Sequence, residues 1–264
     1  MFPSTPGNEV PGAIAYVDPN FKMPQVWRSN VNAEFQLPYG FMLSVGAMYT
    51  RDIYNVVQKN MNEKAPSGTY NEQPGRVYWT KNNYYDNPKT KTVIQLTNGD
   101  EKGYQYSFNA VLTKKFDFGF TGSFGYTYTM AKDMTANPGS SAASVWQNNV
   151  AVNSLNDPGV SYSLFSTPHR LIANASYEVA YANMKTTVSL FYTGYQQGRF
   201  SYTYSNDMNG DGNYSDLMYV PASKEEMTFV DIKDKQNNVT YSAVDQQEDF
   251  WNYVNNDSYL NDHK

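Results

Sequence analysis

The residues best suited to chemistry lie in one stretch, DMNGDGNYSDLMY. Asp207, Asn209 and Asp211 hold positions 1, 3 and 5 of a calcium loop, Gly212 holds position 6, and Asn213 and Ser215 hold positions 7 and 9. A hard cation needs several oxygens wrapped around it, and glycine at position 6 allows the tight turn that brings them together. Position 12, where a bidentate glutamate belongs, is Met218, and Asp216 at position 10 is the candidate substitute. No helical pattern flanks the loop, so the expectation is a bare calcium loop over 207–216. The competing reading is an Asn/Asp/Gly turn cluster in left-handed geometry with no metal. No other cofactor is implied.

Catalytic constellations are missing from the sequence. It has two histidines, His169 and His263, no cysteine, and no serine in a G-x-S-x-G elbow. His169, in TPHR, reads as an interfacial hydrogen-bonding residue. The acidic pairs Glu225–Glu226 and Glu248–Asp249 read as solvated loop residues. The expectation is that the chain is not an enzyme. A net charge of −5 supplies no basic patch, so no nucleic-acid partner is expected.

The elements that must carry these residues alternate with period two. Six runs are predicted as strands, near 26–37, 41–51, 103–116, 120–131, 170–180 and 184–196. In the first, Trp27, Val31, Ala33, Phe35 and Leu37 fall on one face and Arg28, Asn30, Asn32 and Glu34 on the other. In the third, Tyr104, Tyr106, Phe108, Ala110 and Leu112 alternate with Gln105, Asn109 and their neighbours. The fourth sets Phe124, Tyr126 and Tyr128 against Thr127, and the fifth sets Leu171, Ala173 and Tyr177 against Arg170, Asn174 and Glu178. The sixth is less clean, because Phe191 and Tyr195 oppose Val188, Leu190 and Tyr192.

Alternation alone fits a solvated sandwich as well as a membrane barrel. The connections separate the two. PYG, DFG and YAN join the strands of each hairpin through about three residues, whereas 52–102, 132–169 and 197–264 are long and polar. Outer-membrane barrels combine short periplasmic turns with long extracellular loops, and compact soluble domains seldom do. Aromatic residues also collect at both strand ends. Trp27, Tyr49, Tyr104, Tyr106, Tyr126, Tyr128 and Tyr192 lie toward the long loops, and Phe35, Phe41, Phe116 and Phe120 toward the short turns. Mean hydropathy is only −0.65 despite 24 tyrosines, as strands with one wet and one apolar side require. No run approaches the ~18 apolar residues of a transmembrane helix.

The fold class is therefore all-β, an antiparallel up-and-down transmembrane β-barrel segment with long extracellular loops. Small barrels need about eight strands, so six are expected to be part of a larger one. The opening MFPSTPGNEVPGAIAYVDPNF has neither a basic nor a continuous apolar region, so an export signal is expected upstream. Ala243, Val244, Phe250, Trp251 and Val254 have helical spacing and predict a short helix in the last loop.

The segments VDPNFKMPQVWRSNVNAEFQLPYG, STPHRLIANASYEV, SYTYSNDMNGDGNYSDLMYVP and DFWNYVNNDSYLNDHK resemble the barrel of TonB-dependent outer-membrane receptors. The similarity is to the Oar-like group, which carries a carboxypeptidase-regulatory-like domain and is common in Bacteroidetes. The resemblance implies a barrel of about 22 strands in a Gram-negative outer membrane. It also implies a plug domain of the same parent chain, TonB coupling through an N-terminal region upstream of Met1, and further strands after Lys264. The implied function is uptake of a nutrient such as an oligosaccharide, peptide or metal chelate. Lipid is then a partner of the apolar face, and a surface lipoprotein is a candidate partner. Arg28, Asn30, Asn32, Glu34, Gln105, Asn109, Thr127, Arg170, Asn174 and Glu178 are expected to face the lumen. Tyr54, Tyr78, Trp79, Tyr84 and Tyr85 are candidates to stack on a sugar or peptide. The rival reading is a soluble, calcium-dependent β-sandwich adhesion or binding module, and a weaker one is a β-rich hydrolase.

Overall fold

The computed structural model describes residues 12–71, 73, 75–80, 83–85 and 92–264. The sequence reading of the extreme N-terminus falls largely on residues 1–11, outside the described residues. In chain order the strands are β1 (Ala13–Val17), β2 (Gln25–Leu37), β3 (Phe41–Tyr54), β4 (Val57–Asn60), β5 (Gly68–Thr69), β6 (Val77–Tyr78) and β7 (Thr92–Thr97). They continue with β8 (Tyr104–Lys115), β9 (Phe120–Asp133), β10 (Ser161–Tyr162), β11 (His169–Tyr181), β12 (Met184–Tyr195), β13 (Ile232–Lys233) and β14 (Val239–Tyr241). The α-helices are α1 (Ala142–Asn148), α2 (Ala243–Asn256) and α3 (Ser258–Asn261).

The chain divides into two compact units. The first comprises Met1–Met61, Lys89–Asn149 and Leu155–Ser201, and its main feature is an antiparallel wall in the order β12-β11-β9-β8-β3-β2, with β10 pairing onto β9. The six alternating runs are the six long strands of this wall. Two hairpins close over Pro38–Gly40 and Asp117–Gly119, with Tyr39, Gly40 and Gly119 at positive φ. The third is tighter than the expected YAN loop. Tyr181 pairs with Met184, and Ala182 (φ 43°) and Asn183 (φ 63°) form a two-residue turn whose left-handed geometry suits the strand twist.

Register carries the faces across all six strands. Phe35, Leu43, Leu112, Phe124, Ala173 and Tyr192 form one row. Asn32, Gly46, Asn109, Thr127, Arg170 and Tyr195 form a row on the opposite face. The rows climb along the strands. Phe35 lies beside its closing turn, while Tyr192 in the same row stands most of a strand away from Met184. This stagger is what a closing barrel wall requires. It also reconciles the assignment of Phe35 and Tyr192 to opposite aromatic belts.

The apolar face is bare. Val31 and Leu190 are 72% exposed, and Phe108 and Phe124 54%. A sandwich would cover these residues with a second sheet, so the soluble alternative does not describe this fold. At one rim the rings of Trp27 and Tyr49 meet edge to face at 6.0 Å. At the other, Phe116, Phe118 and Phe120 cluster, and the Lys114 ammonium sits over the rings of Phe41 and Phe116. Aromatic and cationic groups of this kind suit a membrane–water boundary.

The long connections are more ordered than loops. Within the first unit, β1 pairs in parallel with β7, which pairs antiparallel with β4. Val57, Ile94, Val145 and Trp146 are buried there. Helix α1 starts at Ser141, whose hydroxyl accepts from the Ser144 N–H in a reciprocal cap. Asn156 acts as a missing strand: its amide oxygen accepts from the Asn60 N–H (2.5 Å) and the Trp146 indole (3.0 Å), and its amide nitrogen donates to the Asn60 carbonyl (3.0 Å).

The second unit comprises Asn62–Pro88, Val150–Ser154 and Tyr202–Lys264. It contains the β5–β6 and β13–β14 pairs, the 207–216 loop, and the helix expected over 243–254, which runs as α2 to Asn256. Ser242 caps α2, accepting from the Asp245 N–H, and Asp257 caps α3, accepting from the Leu260 N–H.

Candidate functional site

Two groups of residues have functional geometry, one on the wall and one in the second unit. On the wall, all ten residues expected to line the lumen share the face opposite Phe35 and Phe124, as strict pairing demands. Asn32, Asn109, Thr127 and Arg170 fall in one row, and Arg28 and Gln105 meet across Thr50, whose hydroxyl accepts from the Arg28 Nε at 3.2 Å. Glu34 pairs with Ser44, Asn30 with Met48, and Asn174 with Ser123. Glu178 accepts from the Lys185 ammonium at 2.9 Å. Gly46 has no side chain because a Cβ there would run into the amides of both Asn32 and Asn109. Small residues thus let long polar side chains converge.

The second group is the 207–216 loop. Asp207 accepts from the N–H groups of Gly210 (2.7 Å) and Gly212 (2.9 Å), and each odd position caps the next. Asn209 Oδ1 accepts from the Asp211 N–H and Asp211 Oδ1 from the Asn213 N–H, both at 2.8 Å. Gly210 (φ 80°) and Gly212 (φ 88°) are left-handed, as the turn demands. A Cβ on Gly212 would also press on the Tyr84 hydroxyl. Asn209, Asp211, Asn213 and Asp216 are buried, and Ser215 is half-buried.

Asp216 takes a different part from the one expected of it. Its Oδ2 accepts from the Met208 N–H (2.7 Å) and the Asn209 N–H (3.3 Å), so it clasps the start of the loop. The carboxylate set beside Asp211 is instead Glu63, far upstream in sequence. Glu63 bridges to Tyr84, whose hydroxyl donates to the Asp211 carbonyl at 3.3 Å. Next to them, Lys64 N–H donates to the Asn83 carbonyl, and the Asn83 amide donates to the Asp211 carbonyl. From a third segment, Ser154 donates to Glu63 Oε2 at 3.5 Å while the Asn153 carbonyl accepts from Asn209 at 3.2 Å.

The electrostatics of this cluster are adverse. Burial, reinforced by the Asp211 charge, pushes Glu63 up to about 8. Burial and the charges of Asp216 and Asp207 push Asp211 up to about 6, against the Asn213 and Asn209 hydrogen bonds. Burial also raises Asp216, opposed chiefly by its two N–H donors. Tyr84 rises to about 12, mainly through burial and then through Glu63 and Asp211. Among the described residues the only ion pairs are Lys185–Glu178 and Lys224–Glu248, so neither Glu63 nor Asp211 has a cationic partner. Also among the described residues, no three histidine, cysteine, aspartate or glutamate side chains converge as a metal-holding group.

The loop aromatics divide. Trp79 is buried, its indole donating to the Lys64 carbonyl at 2.8 Å and its N–H to the Asn209 carbonyl at 2.7 Å. Tyr78 packs on Tyr70 at 5.1 Å, and Tyr54 lies under the Lys102 ammonium. Trp79 and Tyr84 therefore build the loop's support, whereas Tyr85 is exposed. Sequence reasoning missed Glu63, and no local signal could have found it, because only the fold brings NEK at 62–64 to the glycine-rich loop.

A staggered antiparallel wall with one bare apolar face, aromatic rims and a polar opposite face is the architecture of a membrane-spanning β-barrel. The chain belongs to the outer membrane beta barrel domain family, which it matches over residues 2–198, and it is a protein of the outer membrane. No curated protein and no solved structure matches it. The 207–216 loop lies beyond the matched residues.

Proposed function

We propose that this chain forms part of the wall of a TonB-dependent receptor of the Oar-like kind, which takes up a nutrient across the outer membrane. The observation that carries this reading is the asymmetry of the wall. Closures of two or three residues lie at one rim, and the long connections at the other fold into ordered structure of their own. The polar face, with the Asn32–Asn109–Thr127–Arg170 row, is then the lumen wall that meets a plug domain or the passing solute. The edges of β2 and β12 have no partner strand among the described residues. Unpaired backbone groups in lipid are costly, so further strands complete the barrel.

In this reading the nutrient is an oligosaccharide, a peptide or a metal chelate, and the exposed Tyr85 is a contact for it. Energy comes through the TonB complex, a surface lipoprotein is a candidate partner, and no catalytic step is assigned to the chain. The test is uptake of labelled oligosaccharide, peptide and chelate pools by cells carrying or lacking the gene, each with and without TonB. Loss of one pool in both single deletions supports the reading. Uptake of all three pools unaffected by deleting this gene sinks it.

A further inference from the structure

We infer that Glu63 and Asp211, with the side-chain amide oxygens of Asn209 and Asn213, form a site for a calcium-sized divalent cation in the second unit. The loop alone lacks the strong carboxylate that a calcium loop carries at its twelfth position, where this sequence has Met218. The fold supplies one from elsewhere. Glu63 is only 8% exposed, and its Oε1 has no hydrogen-bond partner. Its neighbours Tyr84 and Ser154 belong to the two segments that also hold Asp211 and Asn209, which puts this carboxyl beside the loop, within electrostatic reach of Asp211.

A second orphan lies in the loop itself. Asn213 is 6% exposed, and its Nδ2 has no partner. An amide turned over about its last bond presents oxygen where nitrogen stood, so the unsatisfied group becomes a fourth oxygen donor. Buried polar atoms rarely go unpaired, and two in one cluster point to a ligand that both can face. A cation satisfies both and neutralises two buried like charges. Burial and neighbouring like charges raise both carboxyls, an electrostatic environment that a divalent cation would relieve.

The donors are all oxygens, without histidine or cysteine, which selects a hard ion. Two carboxylates with amide and water oxygens make an irregular set that suits calcium better than octahedral magnesium. The inference is independent of what the barrel transports.

The experiment uses the full chain in detergent micelles, with terbium and calcium as probes. Trp79 and Tyr84 border the loop and sensitise terbium luminescence. Saturable luminescence is expected, displaced by calcium at lower concentration than by magnesium. Glu63→Gln and Asp211→Asn are each expected to weaken binding roughly tenfold or more, and Asp234→Asn, in an exposed turn, to leave it unchanged. Melting provides a second readout that also guards against misfolding. In chelator, Glu63→Gln is expected to melt at or above the parent, because it removes a buried carboxyl that has no cationic partner among the described residues. In millimolar calcium the parent is expected to melt higher. A parent chain that melts alike in calcium and chelator overturns the site, as does a Glu63→Gln chain that keeps the full calcium response. If the response survives Asp211→Asn, the cation binds elsewhere and the assignment falls.

Discussion

The hydroxyl of Tyr126 lies 2.6 Å from Nδ1 of His169, and their rings overlap at 6.0 Å on the lipid-facing side of the wall. Tyr128 tilts against the same imidazole at 5.3 Å. These contacts tie the start of β11 to β9 where the chain returns from a long connection. Replacing Tyr126 by Phe keeps the ring and deletes the bond, so a loss of about 0.5–1.5 kcal/mol is expected. Urea unfolding of the chain in micelles measures it. An unfolding free energy unchanged from the parent would mean that the hydroxyl contributes nothing.

The two faces of β8 should answer oppositely to charge. Ala110 stands mid-strand on the apolar face and Asn109 on the polar one. Ala110→Arg is expected to cost about 2–4 kcal/mol in folding into lipid vesicles. Asn109→Arg, placed in the row that already contains Arg170, should fold nearly as well as the parent. Equal costs at the two positions would contradict the assignment of faces.

The Asn156 knot is expected to be among the most sensitive polar sites in the first unit. Asn156→Ala strips partners from the Asn60 N–H, the Asn60 carbonyl and the Trp146 indole at once, although Asn60 and Trp146 are each 1% exposed. Each hydrogen bond removed from a buried group costs about 0.5–1.5 kcal/mol. Trp146 fluorescence should shift to the red as water reaches the ring, and an unchanged emission maximum would count against the network.

The pair formed by Tyr202 and Asp257 gives a pH dependence with a defined sign. The Leu260 N–H and the Tyr202 hydroxyl (2.7 Å) hold the Asp257 carboxyl below the usual carboxylate range, and Asp257 in turn pushes the Tyr202 phenol up to about 12. A depressed carboxyl contributes its stability above the ordinary aspartate pKa and loses it as pH falls through the folded value. A raised phenol contributes below its ordinary value and loses it as pH rises through about 12. The Leu260 amide resonance should therefore titrate at lower pH than a free aspartate would dictate. Tyr202→Phe should move that inflection upward.

The six long strands were legible because period-two alternation is local, and each run declares its own faces. That the ten polar residues share one face was legible for the same reason, since antiparallel pairing transmits parity from strand to strand. The β1-β7-β4 sheet was not legible. Its parallel β1–β7 pair joins distant residues, and short strands such as VQKN at 57–60 are nearly buried throughout and show no alternation. Asp207 to Asp216 were visible as a spaced motif, but spacing could not reveal that Asp216 spends its oxygen on the loop's own backbone. Nor could it supply Glu63, which reaches Asp211 only through the pairing of its segment with Asn83 and Tyr84.

The two-residue turn at Ala182–Asn183 has a kinetic consequence. It and the two three-residue closures make β2–β3, β8–β9 and β11–β12 hairpins of very low contact order, able to zip in about 1–10 μs. The pairings β3–β8 and β9–β11 must first close long connections, an entropic cost that grows with loop length. The wall is thus expected to assemble in increments of two strands, with hairpin docking as the slow step. Asn183→Val, which strains the left-handed turn, should retard the early phase seen by stopped-flow fluorescence, and substitutions at the β9–β11 seam should retard only the late one. The hairpin, rather than the strand, is then the expected unit in which this wall is added to the membrane.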